Sequence, residues 1–316
     1  MARIELTGAT TVYFDPNGSD TLGIGSSANP WQTPQGTWNN LFRGYDLCGF
    51  PLTMQATVGA SPAQQIQYGA LKISGRLPGQ GGSVAPGVVG AGQPAQAWGN
   101  YAPVTLRGDP VQPLNAILYP PASTSELTAG LSLTENAGLM IDGFTIDTGR
   151  SLSDCVQLFH CSFLDIRNIV FGAAGQYPTS GPACNHISAA FGSVVFVSDT
   201  YQIDGNGQCH AQIDQCSNLY YNTNGTDPIH LIIPYNPIFP AGFFYAGDNG
   251  IIEATAVKFV NAGPTNGVWP ADGTGVTRGY SAVPSNGGVI NTNGVKNIPG
   301  ALGVWHPPQF VAGIYS

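Results

Sequence analysis

LMIDGFTID at 139–147, LDIRNIVFG at 164–172, VFVSDTYQID at 195–204 and IIEATAVKFV at 251–260 share one pattern. Apolar residues alternate, a small or polar residue breaks the run near its middle, and a second alternating stretch follows. Period-two alternation marks a strand with one face buried. Laying Ile141, Ile166, Val197 and Tyr221 on one another gives steps of 25, 31 and 24 residues, within the roughly 20–50 residues of repeat architectures. Each unit is strand and turn. Coils of that size, with two or three short strands each, stack so that every strand has a neighbour above and below. Backbone N–H and C=O groups are then paired down a column. The pattern predicts an all-β fold, a right-handed, single-stranded parallel β-helix, over 56–294. The uneven steps predict loops of unequal length, such as AAGQYPTSGPACN at 173–185.

Upstream of the repeats, ATTVYF reads as a strand and DPNGSD at 15–20 as a turn. Thr33 before Pro34 reads as an N-cap followed by proline at the first helical position. Trp38, Leu41, Phe42 and Tyr45 follow at i, i+3, i+4 and i+7, one apolar stripe on a helix over 34–45. An open sheet end templates association, so this helix is predicted to cap the first coil. LCGFPLTMQATVG then returns to strand. The organisation read from the chain is a cap at 1–55, the β-helix at 56–294 and a closing segment at 295–316. A Gly/Pro-rich loop interrupts the β-helix at 75–100. The closing segment is apolar and Pro-interrupted, carries Trp305, Phe310 and Tyr315, and is read as a contact between subunits, the alternative being that it folds back over the final coil.

Composition agrees with a turn-rich β-scaffold. There are 43 glycines and 25 prolines in 316 residues, where average usage gives roughly 22 and 16. Charged residues are 9% of the chain and hydrophobic residues 42%, a balance opposite to that of disorder. The net charge is −8 and the ten Lys and Arg are scattered singly, which argues against a nucleic-acid partner. No apolar run is long enough to span a bilayer, and the first residues lack a signal-peptide core. The expectation is a protein made in the cytoplasm, with no membrane partner. A slender column has much surface to cover, yet charges are few. Burial against further copies of the chain, as a homo-oligomer, is therefore expected.

Polysaccharide hydrolysis needs two carboxyls about 5–5.5 Å or about 6.5–9.5 Å apart, and Asp142, Asp165, Asp199, Asp204 and Asp214 are the acids that stacking coils can bring together. No paired motif singles any of them out, and Asp also serves turn backbone. A lyase needs bases beside metal-binding carboxylates, and Arg150, Arg167 and Lys258 are dispersed. His160–Cys161, Cys184-x-His186 and Cys209–His210 bring zinc-ligand types together. However, HISAAFGS (186–193) laid on HAQIDQCS (210–217) places His186 and His210 one coil apart as a repeat position. DPNGSD lacks the ligand set of an EF-hand loop. Trp98, Tyr101, Tyr177, Tyr220, Tyr221, Trp269 and Tyr280 stand in or beside loops, where sugar stacking and subunit packing both use such rings. The six cysteines, Cys48, Cys155, Cys161, Cys184, Cys209 and Cys216, form no CxxC pair and read as buried thiols. Cys184 and Cys209, 25 residues apart, are placed as vertical neighbours. The reading assigns no catalytic, cofactor-binding or metal-binding residue and no cofactor.

The opening VYFDPNGSDTLGIGSSANPWQTPQGTWNNL resembles the N-terminal strand-turn-helix of pectin-lyase-like right-handed parallel β-helix proteins of tailed phages and prophages. VTLRGDP (104–110), LSLTENAGLMIDGFTI (131–146) and FGSVVFVSDTYQIDG (191–205) resemble their coils, and RGYSAVPSNGGVINTNG (278–294) with IPG (298–300) resembles a C-terminal segment of such proteins. The resemblance implies a non-enzymatic virion protein, a homotrimeric tail fibre, tail spike or head-decoration component on the particle exterior. It would touch other virion proteins and host surface polysaccharide. The alternative is a polysaccharide depolymerase tail spike, a glycoside hydrolase or lyase.

Overall fold

The structure is a computed structural model. It describes residues 3–80, 104–121, 129–149, 153–175, 184–221, 228–233, 237–255, 257–261, 282–292, 298 and 314–315. Three parallel sheets carry the chain. Sheet 1 runs from Thr10–Phe14 and Leu52–Ala56 to Val289–Asn291 and Ile314–Tyr315. Sheet 2 runs from Ile66–Tyr68 to Val257–Asn261, and sheet 3 from Leu71–Ser74 to Ala282–Pro284. The chain visits sheets 1, 2 and 3 in rotation, so neighbouring strands in a sheet lie one coil apart. This is a parallel β-helix.

The register is the one the sequence repeat implies. Ile141 pairs with Ile166, Ile166 with Val197, and Val197 with Tyr221. These residues point inward; the first three have no exposed area and Tyr221 is 5% exposed. The column they form contributes the hydrophobic stabilisation, at about 25 cal/mol per Å² of apolar surface removed from water. The break in each repeat is the corner between sheets 1 and 2. Gly143 and Asn168 stand there at φ 77° and 47°, a left-handed backbone that Gly and Asn adopt most readily.

After the first coil, where residues 75–103 connect the two sheets, the corner from sheet 3 to sheet 1 is tighter and more regular. Glu135–Asn136, His160–Cys161, Phe191–Gly192, Gln215–Cys216, Asp248–Asn249 and Asn286–Gly287 each place two consecutive residues at positive φ. Backbone bonds stack these turns: Asn136 N–H donates to His160 O, Cys161 N–H to Phe191 O, Gly192 N–H to Gln215 O, and Cys216 N–H to Asp248 O. Beneath them Ser162, Ser193 and Ser217 form a buried ladder. The Ser162 and Ser193 amides donate to the hydroxyls of Ser193 and Ser217, one coil on, at 3.2 and 3.0 Å.

The N-terminal end is closed by more than a helix. The helix spans Pro34–Gly44, with Thr33 Oγ1 accepting from Gly36 N–H at 2.8 Å. Trp38 and Leu41 are buried, but Phe42 is 43% exposed, contrary to the expected stripe. Tyr45 lies past the helix in strand Tyr45–Asp46, paired with Ile4–Glu5. The free edge of strand Thr10–Phe14 is covered by the segment that follows it. Tyr13 N–H donates to Gly25 O, Trp31 N–H to Tyr13 O, and Asp15 N–H to Trp31 O. Gln35 Oε1 accepts from Lys72 N–H on the first strand of sheet 3. Sheet 1 therefore begins inside the stretch assigned to the cap, and it ends inside the closing segment, where Ile314–Tyr315 pairs with Val289 and Ile290. Of the loop placed at 75–100, only 75–80 is described; Gln80 Nε2 donates to Gly138 O and holds that start against the column.

Candidate functional site

The outer face of sheet 3 carries a column of uncharged polar side chains. Gln157, Ser188, Gln212 and Tyr245 are in register on successive coils, all half-buried. Their strands alternate, so the residues on either side point inward and these point out. A second column beside them starts with Asp154 and Asn185. The two columns are cross-linked: Gln157 Nε2 donates to Asp154 Oδ2 at 2.9 Å, Asn185 Nδ2 to Gln212 Oε1 at 2.9 Å, and Gln212 Nε2 to Asp214 Oδ2 at 2.7 Å. Asn185 N–H donates to Asp154 Oδ1. Burial pushes the Asp154 carboxyl up to about 6, against the lowering effect of these donors. The arrangement presents neutral hydrogen-bonding groups at one-coil spacing, about 4.8 Å, on strands paired to the coils above and below. The sequence alignment of HISAAFGS on HAQIDQCS already placed Ser188 on Gln212, but their outward direction follows only from the register.

Of the five candidate carboxylates only Asp142 and Asp165 share a face, the outer face of sheet 1 on adjacent coils. Asp142 and Asp165 are on sheet 1, Asp199 is in the corner after it, Asp204 follows a sheet 2 strand and Asp214 a sheet 3 strand. Asp142 accepts from Asn168 Nδ2 at 2.9 Å and lies 3.8 Å from Arg107. Asp165, buried, takes Nε and Nη2 of Arg167 at 3.1 and 2.8 Å. Asp199 accepts Thr200 N–H, and Asp204 accepts Gln202 Nε2. Burial raises Asp165, Asp204 and Asp214 above the ordinary carboxylate range. Arg167 is thus placed beside Asp165, Lys258 lies on the last strand of sheet 2, and Arg150 falls outside the described residues.

His186 and His210 do stack, inside the column. Their Nδ1 atoms are 3.1 Å apart, His210 Nε2 is 2.5 Å from Tyr201 Oη, and Tyr201 Oη is 2.8 Å from Tyr221 Oη. Phe171 and Phe243 pack face to face on His186 and His210. Burial drives His186 down to about 3 and His210 well below its ordinary value, so both are neutral. One proton serves the Nδ1–Nδ1 contact. A consistent assignment has Tyr221 donating to Tyr201, Tyr201 to His210 Nε2, and His210 Nδ1–H to His186 Nδ1. His186 Nε2 is then the end of the chain and has no partner in hydrogen-bond geometry. With every member at most 5% exposed, this chain organises the core and meets no solute.

The remaining candidates separate cleanly. Among the described residues no three of His, Cys, Asp and Glu gather as a metal set. DPNGSD is a turn that uses its own acids: Asp15 accepts Asn17 N–H, and Asp20 accepts Gln32 N–H, Thr33 N–H and the Thr33 hydroxyl. All six cysteines are unbridged. Cys155, Cys184 and Cys209 are buried as expected, but Cys48, Cys161 and Cys216 are exposed. The pairing of Ile187 with Ala211 sets the step here at 24 residues, so Cys209 lies across from Asn185 and not from Cys184. Tyr220 stacks on Phe196 outside sheet 1, and Tyr221 is in the core. Trp98, Tyr101, Tyr177, Trp269 and Tyr280 lie outside the described residues, as do Trp305 and Phe310. No helix among the described residues is long and apolar enough to cross a membrane.

Comparison with family models, with curated proteins and with solved structures finds no match.

Proposed function

We propose that the chain is a non-enzymatic structural and adhesive protein of a tailed phage or phage-like particle. In this reading it is a stiff homotrimeric column of a tail fibre, tail spike or head decoration on the particle exterior. The observation that carries the non-enzymatic part is the placement of the acids. Asp142 and Asp165 share the outer face of sheet 1 on adjacent coils, but each is engaged there, Asp142 by Asn168 one coil on and Asp165 by Arg167, while Asp199, Asp204 and Asp214 stand apart, each engaged on its own coil. The sheet 3 ladder of Gln157, Ser188, Gln212 and Tyr245 suits reversible contact with a polar polymer such as host surface polysaccharide, through neutral hydrogen bonds. The virion assignment rests on the sequence resemblance.

The rival reading, a polysaccharide depolymerase, draws on one observation: Asp154, nearly buried, has its carboxyl pushed up to about 6, in the range of a general acid. Its two oxygens are both occupied by donors from the column, which suits a tie between coils. The test is incubation of the purified chain with a panel of bacterial capsular polysaccharides and lipopolysaccharides, assayed for reducing ends and unsaturated uronates. The proposal expects none. Product release that Asp154→Asn abolishes would establish the enzyme in its place. Light scattering expects three copies, and a monomer at micromolar concentration would remove the assembly.

A further inference from the structure

The sheet 3 to sheet 1 corner holds two exposed thiols that no function above uses. Cys161 and Cys216 occupy the same position of the turn, two coils apart, with Gly192 on the coil between them. The pairings of Phe163 with Val194 and of Val194 with Asn218 fix this register, and the stacked turn bonds repeat it. A Cβ added at Gly192 would meet a single heavy atom within 4 Å, the Cys161 sulfur at 3.5 Å. One thiol thus leans over an open rung toward the other. Two coils separate their Cα atoms by roughly 9.5 Å, beyond the limit of about 7 Å for a disulfide. The two thiols therefore cannot bridge each other directly.

We propose that Cys161 and Cys216 form a two-coordinate site for a soft monovalent cation of the Cu(I) or Ag(I) type, spanning the Gly192 rung. With metal–sulfur bonds of about 2.3 Å, a linear S–metal–S unit is roughly 4.6 Å long. Each side chain then has to lean about 2.5 Å along the axis, within the reach of one Cα–Cβ–Sγ arm. Thiolates select soft cations. A tetrahedral zinc site needs further ligands, and no third His, Cys, Asp or Glu joins them among the described residues. On binding, each thiol releases its proton to solvent and two sulfur–metal bonds form. No electron is transferred and no oxidant is required.

The test is Ag(I) titration of the purified, reduced full-length chain, followed by maleimide labelling and peptide mass spectrometry. Cys48, an exposed thiol three coils away from Cys161 along the column, is the internal control. The first equivalent should protect Cys161 and Cys216 together and leave Cys48 labelled. Cys161→Ser and Cys216→Ser should each weaken that first equivalent at least tenfold, and Cys48→Ser should leave it unchanged, with all three variants keeping the parent circular-dichroism spectrum. Independent protection of the three thiols, retained affinity in either single variant, or a metal-bridged dimer in light scattering would overturn the site.

Discussion

The corner from sheet 2 to sheet 3 and the corner from sheet 3 to sheet 1 turn the same coils by opposite means. The first is long and uneven, and its side chains do the ordering: His186, His210 and Phe243 follow it on successive coils and pack inward with Tyr201 and Phe171. The second, from Glu135–Asn136 onward, is short and nearly invariant in backbone, with two left-handed residues per coil tied to the next coil by amide–carbonyl bonds. At the first corner, residue identity matters because each ring fills a fixed volume. At the second, backbone bonding decides the geometry, and Glu, His, Phe, Gln, Asp and Asn all occupy the first position. A repeat can thus be strict in shape and loose in sequence.

The largest expected effect that would break this contrast is acid. Above pH 6.5 both histidines are neutral in the folded and unfolded chains. Below it the unfolded chain takes up protons, while folded His186 resists down to about 3. The unfolded state then binds more protons, and stability falls with pH over that window, by up to roughly 5 kcal/mol for His186 alone. Asp154 acts in the other direction. Its folded value of about 6 against 3.8 adds stability as pH falls between those values, and Asp165, Asp204 and Asp214, also raised by burial, act in the same direction, so together they offset part of the two histidines. Urea midpoints measured from pH 7 to pH 4 should fall steadily; a flat or rising profile would mean that the pair is not buried and neutral.

Next in size is Phe243→Ala. Phe243 has no exposed area and stacks on His210 at 4.7 Å, so the cavity should cost about 3–5 kcal/mol in chemical denaturation. Ser193→Ala comes third. It leaves the Ser162 amide without its acceptor, and a buried orphan donor costs about 1–3 kcal/mol. The smallest effect has the opposite sign. Phe191 is 48% exposed at φ 57°, so Phe191→Asn should relieve strain of about 1 kcal/mol and raise the melting temperature. A loss of stability there would show that the second corner depends on side-chain packing, as the first does.

Much of the column was legible in the sequence because its period is read directly from apolar alternation. Ile141, Ile166, Val197 and Tyr221 are one inward column, and His186 and His210 stack, because one-coil spacing converts numbering into proximity. Thr33 and Pro34 announced the helix start through chemistry local to four residues. The failures have equally local causes. Phe42 is exposed because strand Tyr45–Asp46 leaves the helix after Gly44 and the stripe has no second coil to cover. Cys184 misses Cys209 because a one-residue error in step moves a side chain to the next position and the other face. The left-handed corner carried no glycine signal at Glu135, His160 or Gln215, since its geometry is enforced by stacking. The polar ladder of sheet 3 was overlooked for a related reason: Gln and Ser carry no motif until register aligns them.

Engineered disulfides read out the register between coils. Gln157 and Ser188 are paired on adjacent coils of sheet 3, and Gln212 is one coil further. The Gln157→Cys/Ser188→Cys variant should oxidise to a single intramolecular bridge between those positions, found by peptide mapping, because their Cα atoms are about 4.8 Å apart. Gln157→Cys/Gln212→Cys, at roughly twice that distance, should not. A bridge in the second variant and none in the first would contradict the stacking of these coils.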